Sequence, residues 1–176
     1  MNTQAGILET PVIKLSTLKL FMVIAVFTAL SLALPWFCHQ FNLAGPTFLP
    51  MHFFVLVAGL LFGWRVGLAT GFLTPLVSFA TSGMPLVSLL PTITLEVMAY
   101  GFFAGYLRER KMDLWLTLIL ALVFGKIVLF FSAWTLMPVN PVNYLFSAVK
   151  TGLPGILIQL ALLPLVAAAI QKILKK

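Results

Sequence analysis

Long apolar stretches alternate with short polar ones along the chain, and the polar breaks define the elements. Residues 17–36 form the first apolar run, and Pro35 and Trp36 are expected to end its helix at an interface. A polar connection, HQFNLAGPT, follows. From Pro50 to Thr81 the chain stays apolar for 32 residues, interrupted near its middle by Arg65. A bilayer core takes about 20 residues per helix. A single helix here would hold Arg65 close to mid-membrane, at a cost of at least about 2.5–3.5 kcal/mol. Two short spans, 48–63 and 66–81, avoid that cost. FGWRVG then becomes a tight turn, with Gly63 and Gly67 as breakers and Arg65 among the headgroups. Short spans are tolerated where protein rather than lipid covers their ends.

The second loop, TSGMPLVSLLP, lies on the side of the first, and Pro91 opens a fourth span, 91–107. RERKMD is the most charged segment and must be aqueous. A fifth span over 114–136, a third loop at MPVNPVNY, a sixth span over 153–170 and a closing KILKK complete the chain. The first 15 residues, MNTQAGILETPVIKL, read as a cytosolic lead-in; they have neither the basic start nor the cleavage box of a secretory signal. The expectation is one all-α integral membrane domain over residues 1–176, with six transmembrane helices. Six spans put Lys14, Lys19, Arg65, Arg108, Arg110, Lys111, Lys172, Lys175 and Lys176 on one side, nine of the eleven basic residues. Basic residues gather on the cytosolic side, so both termini are expected there. Reading 50–81 as one helix would instead export RERK.

Composition supports lipid as the solvent. The chain is 61% hydrophobic and 9% charged, where soluble domains carry about 25% charged residues. Its mean hydropathy is +1.11. A net charge of +7 on a soluble protein would suggest nucleic acid, but here the positive residues flank apolar runs and set orientation, so no nucleic-acid partner is expected. The single cysteine, Cys38, excludes an internal disulfide. There is no HExxH and no cysteine pair, and His39 and His52 do not share a helix face, so no metal and no cofactor are expected. Without a GxSxG or a P-loop, nothing hydrolyses a nucleotide, and uphill transport would need energy from elsewhere.

Two charges, Glu96 and Lys126, fall inside predicted spans, both in the outer half at comparable depth. They form a structural ion pair, or a polar site opening outward, or both. His52, Thr92, Asn140, Asn143, Lys150 and Gln159 gather on the same outer half, among Met84, Tyr100, Trp134 and Tyr144. An apolar cavity with a few placed polar groups is how small organic ligands are held. Each residue has a simpler role as well: His52 as a cap, the two asparagines beside prolines as turn formers, and Trp134 as an interface anchor. In the first span Ala25, Ala29 and Ala33 recur every fourth residue. Such a ridge of small side chains admits a second helix closely, either from this chain or from a partner.

The stretches LPMHFFVLVAGLLFGWRVGLATGFLTPLVSFATSGMP, TLEVMAYGFFAGYLRER and TGLPGILIQLALLPL resemble the substrate-binding S component of energy-coupling factor (ECF) transporters, from Thr17 to Ile170. The resemblance implies a six-helix subunit, N-in and C-in, in a bacterial or archaeal cytoplasmic membrane. It implies an outward-facing pocket for a vitamin or related micronutrient, built by helices four to six and the outer loops. It also implies partnership with a transmembrane coupling subunit and two ATPases, and toppling in the membrane to release substrate inward. The family's AxxxA motif, which contacts the coupling subunit, matches Ala25 and Ala29, with Ala33 extending it. The expected substrate site is therefore Glu96, Lys126, His52, Tyr100, Trp134, Asn140, Asn143, Lys150, Gln159 and Met84. Lys126 and Lys150 suit an anionic ligand (pantothenate-, pyridoxine- or pyrimidine-like), while cobalamin, riboflavin or a queuosine precursor stay open. A ligand without net charge fits if Glu96 and Lys126 neutralise each other. The alternatives are a six-helix scaffold of the cell-envelope machinery, with the ion pair structural, and an intramembrane enzyme using Glu96 and His52, which lacks any nucleophile–base pairing.

Overall fold

The computed structural model describes residues 12–40 and 45–174. Expectations for residues 1–11, for 41–44, for Lys175 and Lys176, and for the side chain of Trp36 lie outside the described residues. Six long helices run in sequence: α1 (Thr17–Gln40), α2 (Pro50–Phe62), α3 (Trp64–Ser82), α4 (Leu90–Glu109), α5 (Leu114–Leu136) and α6 (Pro141–Leu174). A single turn, Gly45–Phe48, precedes α2. No strand occurs among the described residues.

The 50–81 stretch is two helices, as the cost of burying Arg65 requires. The break is one residue, Gly63, at φ 89° and ψ 179°, a conformation that only glycine adopts without a steric penalty. Arg65 is exposed in the first turn of α3, with its guanidinium 5.5 Å from the Trp64 ring centre. The Glu109 carboxylate at the end of α4 accepts from the Trp64 backbone N–H at 3.2 Å, and Ile13 N–H donates to Leu61 O at 2.8 Å. The lead-in, the α2–α3 turn and the end of α4 therefore meet at one end of the bundle. The RERK segment follows there, and Asp113 starts α5 by accepting from Trp115 and Leu116 N–H at 2.9 and 3.0 Å.

Two helix boundaries differ from expectation. α1 continues through Pro35 to Gln40 rather than ending near residue 36. The sixth helix begins at Pro141, not near residue 153, because Asn140 caps it: its Oδ1 accepts from Val142 and Asn143 N–H at 3.0 and 3.1 Å. Pro154 and Pro164 lie within this helix and remove two of its backbone donors without ending it. At 34 residues α6 is about 50 Å long, against about 30 Å of hydrocarbon, so part of it must tilt or project beyond the core.

Helix α4 is the hub, packed against α2, α3 and α5. Glycines set the close approaches. A Cβ on Gly67 of α3 would strike the Gly101 backbone of α4, one on Gly71 would strike Val97, and one on Gly59 of α2 would strike Gly101. Small residues let helix backbones meet where lipid offers no hydrophobic drive to association. The distribution of polarity fits the same solvent. Phe21, Met22, Ile119, Phe131, Phe146 and Leu165 are exposed, while Thr70, Thr74, Thr92, Glu96, Thr117 and Gln159 are buried. A surface this apolar would aggregate in water. Several interior hydroxyls turn back on their own helix, Thr74 to Thr70 O at 2.7 Å and Ser31 to Phe27 O at 2.7 Å, leaving fewer unmet polar atoms. α5 and α6 are each long and apolar enough to cross a membrane.

Candidate functional site

On α4, Thr92, Glu96 and Tyr100 follow one another at four-residue intervals and share the buried face of the hub helix. Glu96 lies six residues from the start of α4 and thirteen from its end at Glu109, or about 9 Å and about 20 Å along the axis. The cluster therefore sits in the half of the bundle remote from the basic turns.

Glu96 is the centre of the arrangement. Its Oε1 accepts from Tyr100 Oη–H at 2.7 Å and from Lys126 Nζ of α5 at 2.7 Å. The Lys126 side chain is 15% exposed and that of Glu96 7%. Lys126 Nζ also lies 6.0 Å from the Tyr100 ring centre. Charges this sheltered require partners, and each supplies the other's. Gly125 makes the geometry possible, since a Cβ there would run into the Tyr100 ring. Sequence reasoning did not single out Gly125; its only signal was a glycine beside a lysine within an apolar span.

From α2, the buried His52 ring meets Tyr100 edge-on, with centres 5.2 Å apart. Neither His52 ring nitrogen has a hydrogen-bond partner. Leu49, immediately before α2, adopts a left-handed conformation at φ 49° and turns its carbonyl to two donors. These are His52 N–H at 3.1 Å and Gln159 Nε2 of α6 at 3.2 Å. Gln159 is buried with its Oε1 unpartnered, and Thr92 is buried with its hydroxyl unpartnered. Four helices thus contribute one polar group or more to a shared interior region, with four buried polar atoms left over. A groove of about 410 Å³ between α5 and α6 adjoins it, lined by apolar side chains and by Lys126.

The other expected site residues stand apart from this cluster. Met84 is exposed in the connection before α4, and Trp134 is exposed near the end of α5 beside Phe131. Asn140 serves as the α6 cap, and Asn143 and Lys150 are exposed on α6. On α1, Ala25, Ala29 and Ala33 are all exposed, so the small-residue ridge does not pack within the described chain. No group of three or more potential metal ligands occurs among the described residues.

The family profile described as "ECF transporter, substrate-specific component" matches residues 19–174, nearly the whole chain. The chain belongs to this family. Comparison with curated proteins and with solved structures finds no match. Membership makes the protein a multi-pass integral membrane protein and a transport subunit, in keeping with its apolar exterior. For a substrate-specific component, an interior region with unpartnered donors and acceptors is the natural place to look for the substrate.

Proposed function

We propose that the protein is the binding subunit of an ATP-driven importer for a vitamin or related micronutrient, acting without catalysis of its own. The observation that carries this is the four-helix cluster around Glu96, with His52, Thr92 and Gln159 holding buried polar atoms that no protein group satisfies. A buried polar atom without a partner costs about 1–3 kcal/mol. A ligand that bonded to these atoms would recover that cost; the buried hydroxyls of Thr28, Thr70 and Thr117 are also unpartnered, and what marks this group is its convergence on the ion pair and His52. Lys126, Glu96, Tyr100, His52 and Gln159 form the base of the site in this reading. Met84, Trp134, Asn140, Asn143 and Lys150 form its outer rim, because the α3–α4 and α5–α6 connections leave the bundle at that end.

Ala25, Ala29 and Ala33 would receive the transmembrane coupling subunit, which works with two ATPases. Their common exposure on a helix with an otherwise bulky apolar face supports this role. The membrane would be the bacterial or archaeal cytoplasmic membrane, with both termini and the basic turns inside. Purification of the tagged protein from its native membrane should bring down a transmembrane coupling subunit and two ATPases. Recovery with cell-envelope proteins and without ATPases would favour the scaffold reading instead.

A further inference from the structure

We infer that the ligand carries no net charge, presents hydrogen-bonding groups along one edge, and has an apolar body. The inference rests on the binding reading above and deepens it. Lys126, taken alone, points to an anion. Its partner reverses that conclusion. Glu96 Oε1 lies 2.7 Å from Lys126 Nζ and also accepts from Tyr100, so the positive charge is already matched. His52 adds none to the match, being buried without a carboxylate in hydrogen-bond contact. An anionic ligand would leave this interior with an excess negative charge, and burying an unpaired charge is far costlier than burying a satisfied polar group. Lys150 is exposed on α6, outside this interior, and Arg108, the other buried charge among the described residues, cannot compensate. It stands twelve residues from Glu96, about 18 Å along α4, with its Nη1 donating to Met112 O at 2.6 Å.

The atoms that remain available are those of neutral groups. His52 offers one donor and one acceptor, Thr92 a hydroxyl, Gln159 Oε1 an acceptor, and Lys126 its remaining ammonium hydrogens. A ring amide, a lactam or a polyol edge matches that mixture; a carboxylate, an acceptor only, matches it poorly. The α5–α6 groove supplies the other half of the recognition. Lys126 borders both: its alkyl stem lines the groove, while its ammonium turns inward to Glu96. Ile127, Phe130, Leu145 and Val149 line the groove with apolar surface. Its volume of about 410 Å³ falls within the range of about 300–1,000 Å³ typical of small-molecule sites.

The test equilibrates purified wild-type protein, in an uncharged detergent, with two pools. One is a defined mixture of neutral compounds (riboflavin, nicotinamide, pyridoxine) and anionic ones (pantothenate, biotin, nicotinate). The other is a small-molecule extract of the source cells. Compounds still bound after gel filtration are identified by mass spectrometry, and Glu96→Gln is run in parallel. Wild type should retain compounds without net charge. Glu96→Gln, which leaves Lys126 unmatched, should shift the ratio of anionic to neutral compounds held by at least tenfold toward the anions. An anion as the compound held best by wild type would overturn the charge inference and leave the binding reading standing. Folded protein that retains nothing from either pool would overturn the binding reading, and this inference with it.

Discussion

At the scale of single residues, the site depends on one position without a side-chain carbon. Gly125 lets α5 approach Tyr100, and Tyr100 in turn holds the Glu96 carboxylate that pairs with Lys126. Overpacking a tight interior typically costs about 1–3 kcal/mol. Gly125→Ala should therefore lower stability by about that amount and weaken ligand binding more than Gly105→Ala, which burdens α4 against Gly63 and Trp64 at the far end of the bundle. Comparing melting temperature and ligand affinity for the two variants checks this. Equal losses of affinity would mean that Gly125 serves general packing only. The pairing of Glu96 with Lys126 was legible in the sequence, because two lone charges at similar depth in neighbouring spans have few other partners. The role of Gly125 was not, since a glycine's neighbours across a helix interface leave no trace in its own segment. The same holds for the Leu49 carbonyl, which gathers His52 from the next turn and Gln159 from 110 residues further along the chain.

At the scale of elements, charge and glycine placed the helices better than proline did. Arg65 forced the break between α2 and α3, and Gly63 supplies it. Pro35, by contrast, lies inside α1, and Pro154 and Pro164 lie inside α6, where neighbouring helices and the surrounding turns hold the segments together. Tertiary packing in an apolar solvent overrides a local preference worth about 3 kcal/mol in water. The early start of α6 was obscured for a related reason. NP reads as a turn, and here it is a turn, but its asparagine also caps the next helix. The ridge on α1 carries a prediction at this scale. Ala25→Leu or Ala29→Leu should abolish uptake by the assembled transporter while ligand affinity changes less than about twofold, because these side chains are exposed and α1 contributes no group to the cluster. Loss of binding with the complex still assembled would show that α1 supports the site rather than a partner.

The whole molecule differs from a water-soluble bundle at its surface: Leu56, Leu60, Leu61, Leu118 and Leu163 form an apolar core beside hydroxyls, an ion pair and a glutamine, and phenylalanines and leucines cover the outside as well. Its ends differ as well: Arg65, Arg110 and Lys111 lie at the end where α2, α3, α4 and α5 turn, and Met84 and Asn140 at the other. In a Cys38→Ser background, a cysteine at Lys111 should react with an impermeant thiol reagent only after the membrane is opened. One at Met84 should react in intact cells. The reverse pattern would invert the topology and place the cluster on the cytosolic half.

The central claim is that the Glu96–Lys126 cluster holds a small molecule. The most direct measurement is mass spectrometry of the compounds released from wild-type protein purified in detergent, beside Lys126→Ala of matched yield and melting temperature. Losing a hydrogen bond to a charged group typically costs about 1.5–3 kcal/mol, which is roughly tenfold or more in affinity. The account predicts a vitamin-sized compound at near-stoichiometric level in wild type and its depletion by at least about tenfold in the variant. A compound held equally by both proteins would contradict the assignment of the site, and wild type that stayed empty after incubation with a panel of vitamins would contradict the binding function itself.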